Sequence, residues 1–407
     1  MKEYKVKTVC AGNFEKSDRS DCRIAMTVKK SGGIRISLNS KVAILYGAAI
    51  RETCEKILEF YGIDNAELQI DDSGAADYVI AARLEACIKQ LIKTDKSWLP
   101  EILPQNMSGT ERDRLRRSRL YLPGNSPKLA INAGLHSGDG IILDLEDSVA
   151  PDRKDEARIL VRNTLRAVDF YGAERMVRIN QGERGFEDLN ALLPQYVNVI
   201  LLPKCESAEQ VRTVDAHIQK LRRECHIKIE TWIMPIIESA LGVMRALEIA
   251  GSSPNVVALA IGLEDYTADI AVPRTSEATE SFFARSMVLN AAKACGLQAI
   301  DSVFSDVSDT EALYRNVRAS RALGYDGMGC IHPRQIKVIH EAFAPDEAEL
   351  EKAEKIVAAY REAEEKGLGV VAVGSKMIDA PVVKRALRVV ELAKMMNKQG
   401  SRREKKA

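Results

Sequence analysis

Gly140-Ile141-Ile142-Leu143-Asp144-Leu145-Glu146-Asp147 is a short apolar run that ends in acids, and its form recurs through the chain. Arg119-Leu120-Tyr121-Leu122-Pro123 precedes it. Met176-Val177-Arg178-Ile179, Val197 to Leu202, Thr231 to Ile237, Val256 to Ile261, Ala299 to Phe304 and Met328 to Ile331 follow it. A longer helix-like stretch comes after each run. Eight such units in about two hundred residues predict an α/β fold, a closed TIM (β/α)8 barrel rather than an open sheet.

In that fold the active site lies at the C-terminal ends of the strands. The residues that end the runs are Asn125, Glu146 and Asp147, Asn180, Lys204, Glu238, Glu264 and Asp265, Asp306 and His332. One polar residue after a strand says little, because loops are polar. Eight such ends, dominated by carboxylates, Lys and His, point to an active site.

Glu238 and Asp265 close neighbouring strands, so their carboxylates can converge on a Mg²⁺ that keeps waters and takes further ligands from substrate. The plainer alternative is that each caps the helix beginning beside it. Asp144, Glu146 and Asp147 crowd one strand end and need cations or backbone donors if buried. Asp144 points away from its neighbour by strand alternation, which suits a structural ion pair. Arg178 lies inside a strand and needs an anion: Glu146, Asp147, or a substrate carboxylate or developing enolate. Lys204 could form a Schiff base, but the carboxylate pair favours a metal route. His332 reads as a structural residue more readily than as a catalytic one.

The 59 basic and 58 acidic residues leave a net charge of +1, which disfavours nucleic acid or an anionic membrane as partner. The start lacks a secretory signal's apolar stretch, and the run from Val256 to Leu263 is too short to span a bilayer, so a cytoplasmic protein is expected. Eight scattered cysteines show no CxxC pair and read as reduced core thiols. No GxGxxG, P-loop or GxSxG supports a nucleotide or serine-hydrolase reading.

At 407 residues more than one domain is expected. Cys22 to Val28 and Ile34 to Leu38 alternate with period two around Lys29-Lys30-Ser31-Gly32-Gly33 and predict a β-hairpin. A helix over Lys41 to Tyr61, a strand over Glu67 to Ile70 and an apolar segment over Tyr78 to Leu91 complete a small α+β unit at 1–93. Residues 94–113, with Trp98-Leu99-Pro100 and Leu103-Pro104, read as a flexible linker spanning roughly 25 Å. The barrel is placed at 114–345, a helical or lid segment at 346–396, and a basic disordered tail at 397–407.

From about Arg116 to Ala393 the chain resembles the β subunit of citrate lyase and the wider family of citryl-, malyl- and citramalyl-thioester lyases. The resemblance rests on Arg116-Arg117-Ser118 with Leu122-Pro123-Gly124-Asn125, Leu143 to Asp147, Val177 to Asn180, Leu202-Pro203-Lys204, Ile237 to Ala240, Gly262 to Tyr266, Ile331 to Gln335 and Met377 to Pro381, in the family's order. It implies cleavage of a (3S)-citryl thioester to oxaloacetate and an acetyl thioester, with Glu238 and Asp265 as Mg²⁺ ligands. It makes Arg178 the catalytic arginine and places Arg117, Arg178, Glu146 and Asp147 in the substrate-binding set. Asp379 corresponds to an acid/base reaching into a neighbouring subunit, although an N-cap before Ala380-Pro381 is the simpler reading.

The front unit is similar to the acyl carrier (γ) subunit of citrate lyase through Ala11-Gly12, Asp72 to Ala75 and Ala81 to Leu84. That resemblance implies a phosphoribosyl-dephospho-coenzyme A arm on a serine. The loop Gly12 to Asp21 departs from the family pattern and leaves Ser17 and Ser20 as candidates. A homo-oligomer, trimer or hexamer, and a separate acyl-transferase (α) subunit are the implied partners. Two rival functions stay open: a lyase for free citramalyl- or malyl-CoA whose front unit serves assembly, and a non-catalytic carrier or scaffold.

Overall fold

The computed structural model describes residues 7–14, 19–365, 371–373 and 376–404. The front unit begins with strands β1 (Thr8–Ala11), β2 (Cys22–Val28) and β3 (Ile34–Ser40). Helix α1 (Ala43–Tyr61), strand β4 (Ala66–Asp72) and helix α2 (Asp77–Leu91) follow. Sheet order is β1-β2-β4-β3. The predicted hairpin is therefore corrected: β2 and β3 both form, but β4 lies between them, antiparallel to β2 and parallel to β3. Parallel pairing needs a crossover, and α1 supplies it.

Helix α2 is buried at eleven consecutive residues, Tyr78 to Ile88. A helix apolar on one stripe cannot be covered all round by a single sheet; it must be packed on two sides. Its second partner is α3 (Lys154–Ala167), the helix after the second barrel strand.

The stretch expected to be a flexible linker is corrected as well, because the barrel satisfies its polar groups. The Trp98 carbonyl accepts from Arg162 at 2.9 Å, and the buried Asn106 amide donates to the carbonyls of Leu165 and Val168 at 3.0 and 2.8 Å.

Eight parallel strands close the barrel: β5 (Ser118–Pro123), β6 (Gly140–Asp144), β7 (Glu174–Arg178), β8 (Val199–Leu202), β9 (Trp232–Ile237), β10 (Ala258–Ile261), β11 (Gln298–Asp301) and β12 (Gly327–Cys330). β12 pairs with β5 to seal it. Inward-facing Ile142, Met176, Leu201, Met234, Ile236 and Ile300 fill the interior, so the barrel is a packed core and not a pore. The termini of α4 (Leu263–Asp269) and α5 (Pro333–Phe343) bear on the site.

Beyond the barrel, α6 (Glu347–Glu365) and α7 (Ala380–Glu404) pack on each other through Ile356, Val357, Val383 and Ala386. α7 runs to Glu404, into the stretch predicted to be disordered. Arg388 on α7 pairs with Asp326, just before β12, at 2.6 Å, which ties the helix to the N-terminal base of the barrel.

The eight cysteines are all free, and Cys22, Cys54, Cys87, Cys205 and Cys330 are buried. Cys10 and Cys225 are exposed, against the expectation of core thiols throughout. Among the described residues no helix is long and apolar enough to cross a membrane.

Candidate active site

Asp144 ends β6 and Arg178 ends β7, and parallel register places them side by side. The Arg178 guanidinium donates from Nε and Nη2 to both Asp144 oxygens at 2.7 and 2.8 Å. This fork-on-fork pairing fixes the guanidinium plane. Its free edge turns to Glu146, with Nη1 3.0 Å from Oε2. Burial works against the Arg178 charge, but Asp144 outweighs it and holds the pKa above the usual range. The arginine stays a fixed cation, 5.4 Å above the ring of Tyr121.

Lys204 follows β8 with φ +47°, a left-handed conformation that costs a non-glycine residue about 1–2 kcal/mol. That turn aims its ammonium at Glu146 (3.1 Å), Asp147 (3.3 Å) and Asp265 (3.8 Å). Burial lowers the Lys204 pKa, and the three carboxylates more than reverse this. A Schiff-base lysine needs the opposite shift.

Glu238, after β9, is 5% exposed, and its Oε1 has no hydrogen-bond partner among the described residues. Burial first, then the hydrogen bond and charge of Asp265, push its pKa up to about 9. The same hydrogen bond holds Asp265 below its usual range, with help from Lys204 and Arg178. Two carboxylates this close share a proton or a cation. Helix capping explains neither. Ser239 caps the helix after β9, accepting from the Gly242 amide at 3.1 Å, and α4 has no side-chain cap at all. Gly262 is required beside the pair, since a Cβ there would stand 2.8 Å from Glu238 Cγ.

Other strand-end residues are structural. His332 caps α5 through Nδ1, which accepts from the Arg334 amide at 3.1 Å. Asp306 closes its own turn on Ser308 and Asp309. Asn180 is held by Asp188.

Arg117 is a correction. It precedes β5, so it lies at the barrel's N-terminal base, where its guanidinium and amide bind buried Asp139 at 2.8 to 3.0 Å. It is not brought to the strand-end cluster. Asp379 is exposed and caps its own helix, accepting from the Val382 amide at 3.2 Å. The chain's own Asp379 thus bonds to α7 and not to Glu238, Asp265 or Arg178. Ser20 is half-buried, with φ +58° and its amide donating to Ser73 at 3.1 Å, whereas Ser17 lies outside the described residues.

Sequence reasoning missed Lys154 at the start of α3, whose ammonium binds the carbonyls of Leu145 and Glu146 at 3.0 and 2.9 Å and braces the acidic strand end. No local pattern marks it. With Arg184 and Gln181 it lines a cleft of about 410 Å³ that includes Glu146 and Asp147. A larger cavity of about 1620 Å³ opens at the base against α7 and contains none of the acids at the strand ends. In this fold chemistry belongs to the strand-end side, where the first cleft lies, although Glu238, Asp265 and Arg178 are not among the residues lining that cleft. Among the described residues no group of three or more His, Cys, Asp or Glu side chains is placed to hold a metal ion.

The closed barrel carries an acid pair and a fixed arginine at its C-terminal ends, and the family matches make it a carbon–carbon lyase. Residues 117–333 match the HpcH/HpaI aldolase/citrate lyase family, and residues 6–91 match the acyl-carrier family described as malonate decarboxylase delta subunit. The chain belongs to the HpcH/HpaI aldolase/citrate lyase family, with an acyl-carrier-like unit in front.

It is 40% identical over 284 residues to citrate lyase subunit beta of Leuconostoc mesenteroides subsp. cremoris, covering 69% of this chain and 94% of that protein. It is 33% identical over 294 residues to the mitochondrial citramalyl-CoA lyase of Homo sapiens, covering 68% and 85%. A Mycobacterium tuberculosis CitE structure, in complex with magnesium, acetoacetate and coenzyme A, superposes with TM-score 0.58 at 31% identity, covering 70% of this chain and 99% of that one.

Proposed function

We propose that the barrel cleaves a (3S)-citryl thioester into oxaloacetate and an acetyl thioester, and that Glu238 and Asp265 hold a Mg²⁺ in doing so. The carrying observation is the buried Glu238 carboxylate with its orphaned Oε1 beside Asp265. A divalent cation would replace the proton that the pair otherwise shares, and the likeness to a relative solved with magnesium supports the choice of ion. When bound, Mg²⁺ supplies Lewis-acid polarisation and a template for the oxaloacetate half.

The chain's own residues account for the rest. A base takes the proton of the tertiary hydroxyl, the C–O bond becomes a carbonyl, and the C–C electron pair passes to the acetyl carbon as a thioester enolate. Arg178, clamped by Asp144, presents positive charge where the negative charge develops, at no reorganisation cost. Glu146 and Asp147 orient Lys204 and the arginine at the mouth. A proton then returns to the enolate carbon. We assign the acid/base to Asp379 from a second copy of the chain, on the resemblance to malyl-thioester lyases and because within one chain Asp379 is not brought to Glu238, Asp265 or Arg178. This assignment makes a homo-oligomer the working form.

The front unit would carry the thioester arm, and a separate acyl-transferase subunit would complete a citrate lyase cycle. Ser20 is the candidate the described residues include: it is half-buried and adjoins Asp21, which is bound to the rim through Arg83. Intact mass of protein from its native host tests this, because an unmodified chain removes the arm from the account. The lyase is tested by comparing Mg²⁺-dependent turnover of citryl-CoA, citramalyl-CoA and malyl-CoA. Preference for citryl-CoA is expected, and preference for either of the others would reassign the substrate.

A further inference from the structure

The sequence promises a carrier that swings on a tether, but its contacts with the barrel are those of a core. Arg83 of α2 is fully buried and binds three groups from two domains. It grips Asp21 of the front unit at 3.0 and 2.9 Å, Glu156 of α3 at 3.0 Å, and the Asn125 carbonyl beyond β5 at 3.1 Å. Two turns away along α3, Arg162 forks onto Glu85 of α2 at 2.8 Å through both nitrogens. Arg153 also reaches across, donating to the Gly12 carbonyl at 3.1 Å and the Asn13 amide oxygen at 3.0 Å. Gly12 itself donates its amide across the seam to Glu156 at 3.4 Å.

Undocking would break the Arg83–Glu156 and Glu85–Arg162 pairs and expose the apolar seam around them to water. While the seam is closed, these buried polar groups are fully partnered across it. The apolar cores tell the same story, since the front-unit residues Ile24, Ile80 and Leu84 and the barrel-wall residues Leu160 and Leu165 belong to one continuous cluster.

Direction matters as much as strength. α3 starts at the C-terminal end of the barrel, where Lys154 braces the Glu146 loop. Asn125 ends the first barrel strand, and the amide of its neighbour Gly124 donates to the Asp144 carbonyl at 2.7 Å. Both roots of the Gly12–Asp21 loop are therefore pinned to the rim of the catalytic face.

We infer that the front unit is a fixed presenter: it stays docked on α3 in every state of the enzyme, Arg83 and Arg162 are its positioning residues, and only an attached group moves. This rests on the carrier and lyase reading above. Any group carried near Gly12–Asp21 then meets the barrel of its own chain, at a local concentration set by the arm and not by residues 94–113.

The chain supplies its own probes, one exposed thiol on each unit, Cys10 and Cys225. Spin labels on these two, with Cys295→Ser and dilution into unlabelled protein, report the distance between units by double electron–electron resonance. A docked unit gives one narrow distribution, whereas a tethered one gives a broad distribution. Arg83→Met with Arg162→Met should broaden the wild-type peak while turnover of free citryl-CoA is unchanged. Glu156→Gln, a milder change, should broaden it less and guards against a double variant that fails to fold. A broad wild-type distribution would overturn the inference. So would a peak that stays narrow in folded variants, which would remove the arginines from the lock. Loss of citryl-CoA turnover in the wild type would instead count against the lyase reading and leave the docking result standing.

Discussion

Arg178 and Asp144 form a two-pronged ion pair, at 2.7 and 2.8 Å, between the ends of adjacent barrel strands. Asp144 is buried, and its pKa is lowered: burial would raise it, but the Arg178 bonds prevail. The pair fixes the guanidinium plane and leaves its free edge facing Glu146 at 3.0 Å.

Asp144→Asn should therefore do two kinds of damage. Stability should fall by about 3 kcal/mol, the scale of breaking one side of a buried ion pair, as read by urea unfolding. Lyase kcat should fall on the order of a hundredfold, as expected for a misplaced electrostatic group. Wild-type kcat in a destabilised variant would separate the pair's structural role from the chemistry.

Gly262→Ala tests how closely Glu238 must be held. With an added Cβ 2.8 Å from Glu238 Cγ, the carboxylate must shift. Mg²⁺ affinity measured by calorimetry should drop at least about tenfold, the usual scale for a disturbed ligand support. The strand register should survive. Unchanged affinity would mean that the pair tolerates displacement.

The docking seam predicts an acid sensitivity. Burial raises the Glu85 pKa, but Arg162 and then Lys89 reverse this and leave it below its usual value. A carboxylate depressed on folding adds stability that is complete above its unfolded pKa, about 4.3. That stability is lost as pH falls through the lower folded value. Urea midpoints should thus decline below about pH 4. In Glu85→Gln the decline should be shallower; an identical slope would remove Glu85 from the linkage.

Lys204 gives a chemical prediction. Because its neighbours raise its pKa, the amine stays protonated, and borohydride added during turnover should trap no adduct on the protein. A mass gain on the peptide carrying Lys204 would restore the Schiff-base route.

Asp379 can be tested by complementation. Asp379→Asn and Glu238→Gln should each be nearly inactive, and mixed oligomers of the two should recover activity if the acid/base crosses between copies. A mixture as inactive as its components would place the acid/base elsewhere.

The barrel is legible in the sequence because each strand is a short apolar run closed by a polar residue, a local pattern that survives without knowledge of partners. That Glu238 and Asp265 lie together follows from the same rule, as they end adjacent runs. What fails is what depends on distant chain. Lys29 to Gly33 turns the backbone whether β2 and β3 pair or flank a third strand, and only the later β4 decides. Arg83 and Glu85 look like solvent-facing charges until Glu156 and Arg162, more than seventy residues on, bury them. Arg117 is misplaced for a different reason. It sits before its strand and not after it, and the end of the barrel follows from that order alone.

The central claim is that Glu238 and Asp265 hold the metal on which cleavage depends. Calorimetric Mg²⁺ binding and citryl-CoA cleavage, measured together on the wild type and on Glu238→Gln, test it most directly. The account predicts that the variant folds, loses measurable Mg²⁺ binding, and cleaves citryl-CoA roughly a thousandfold more slowly, a scale in keeping with removal of Lewis-acid stabilisation. Full Mg²⁺-dependent cleavage by Glu238→Gln would contradict it.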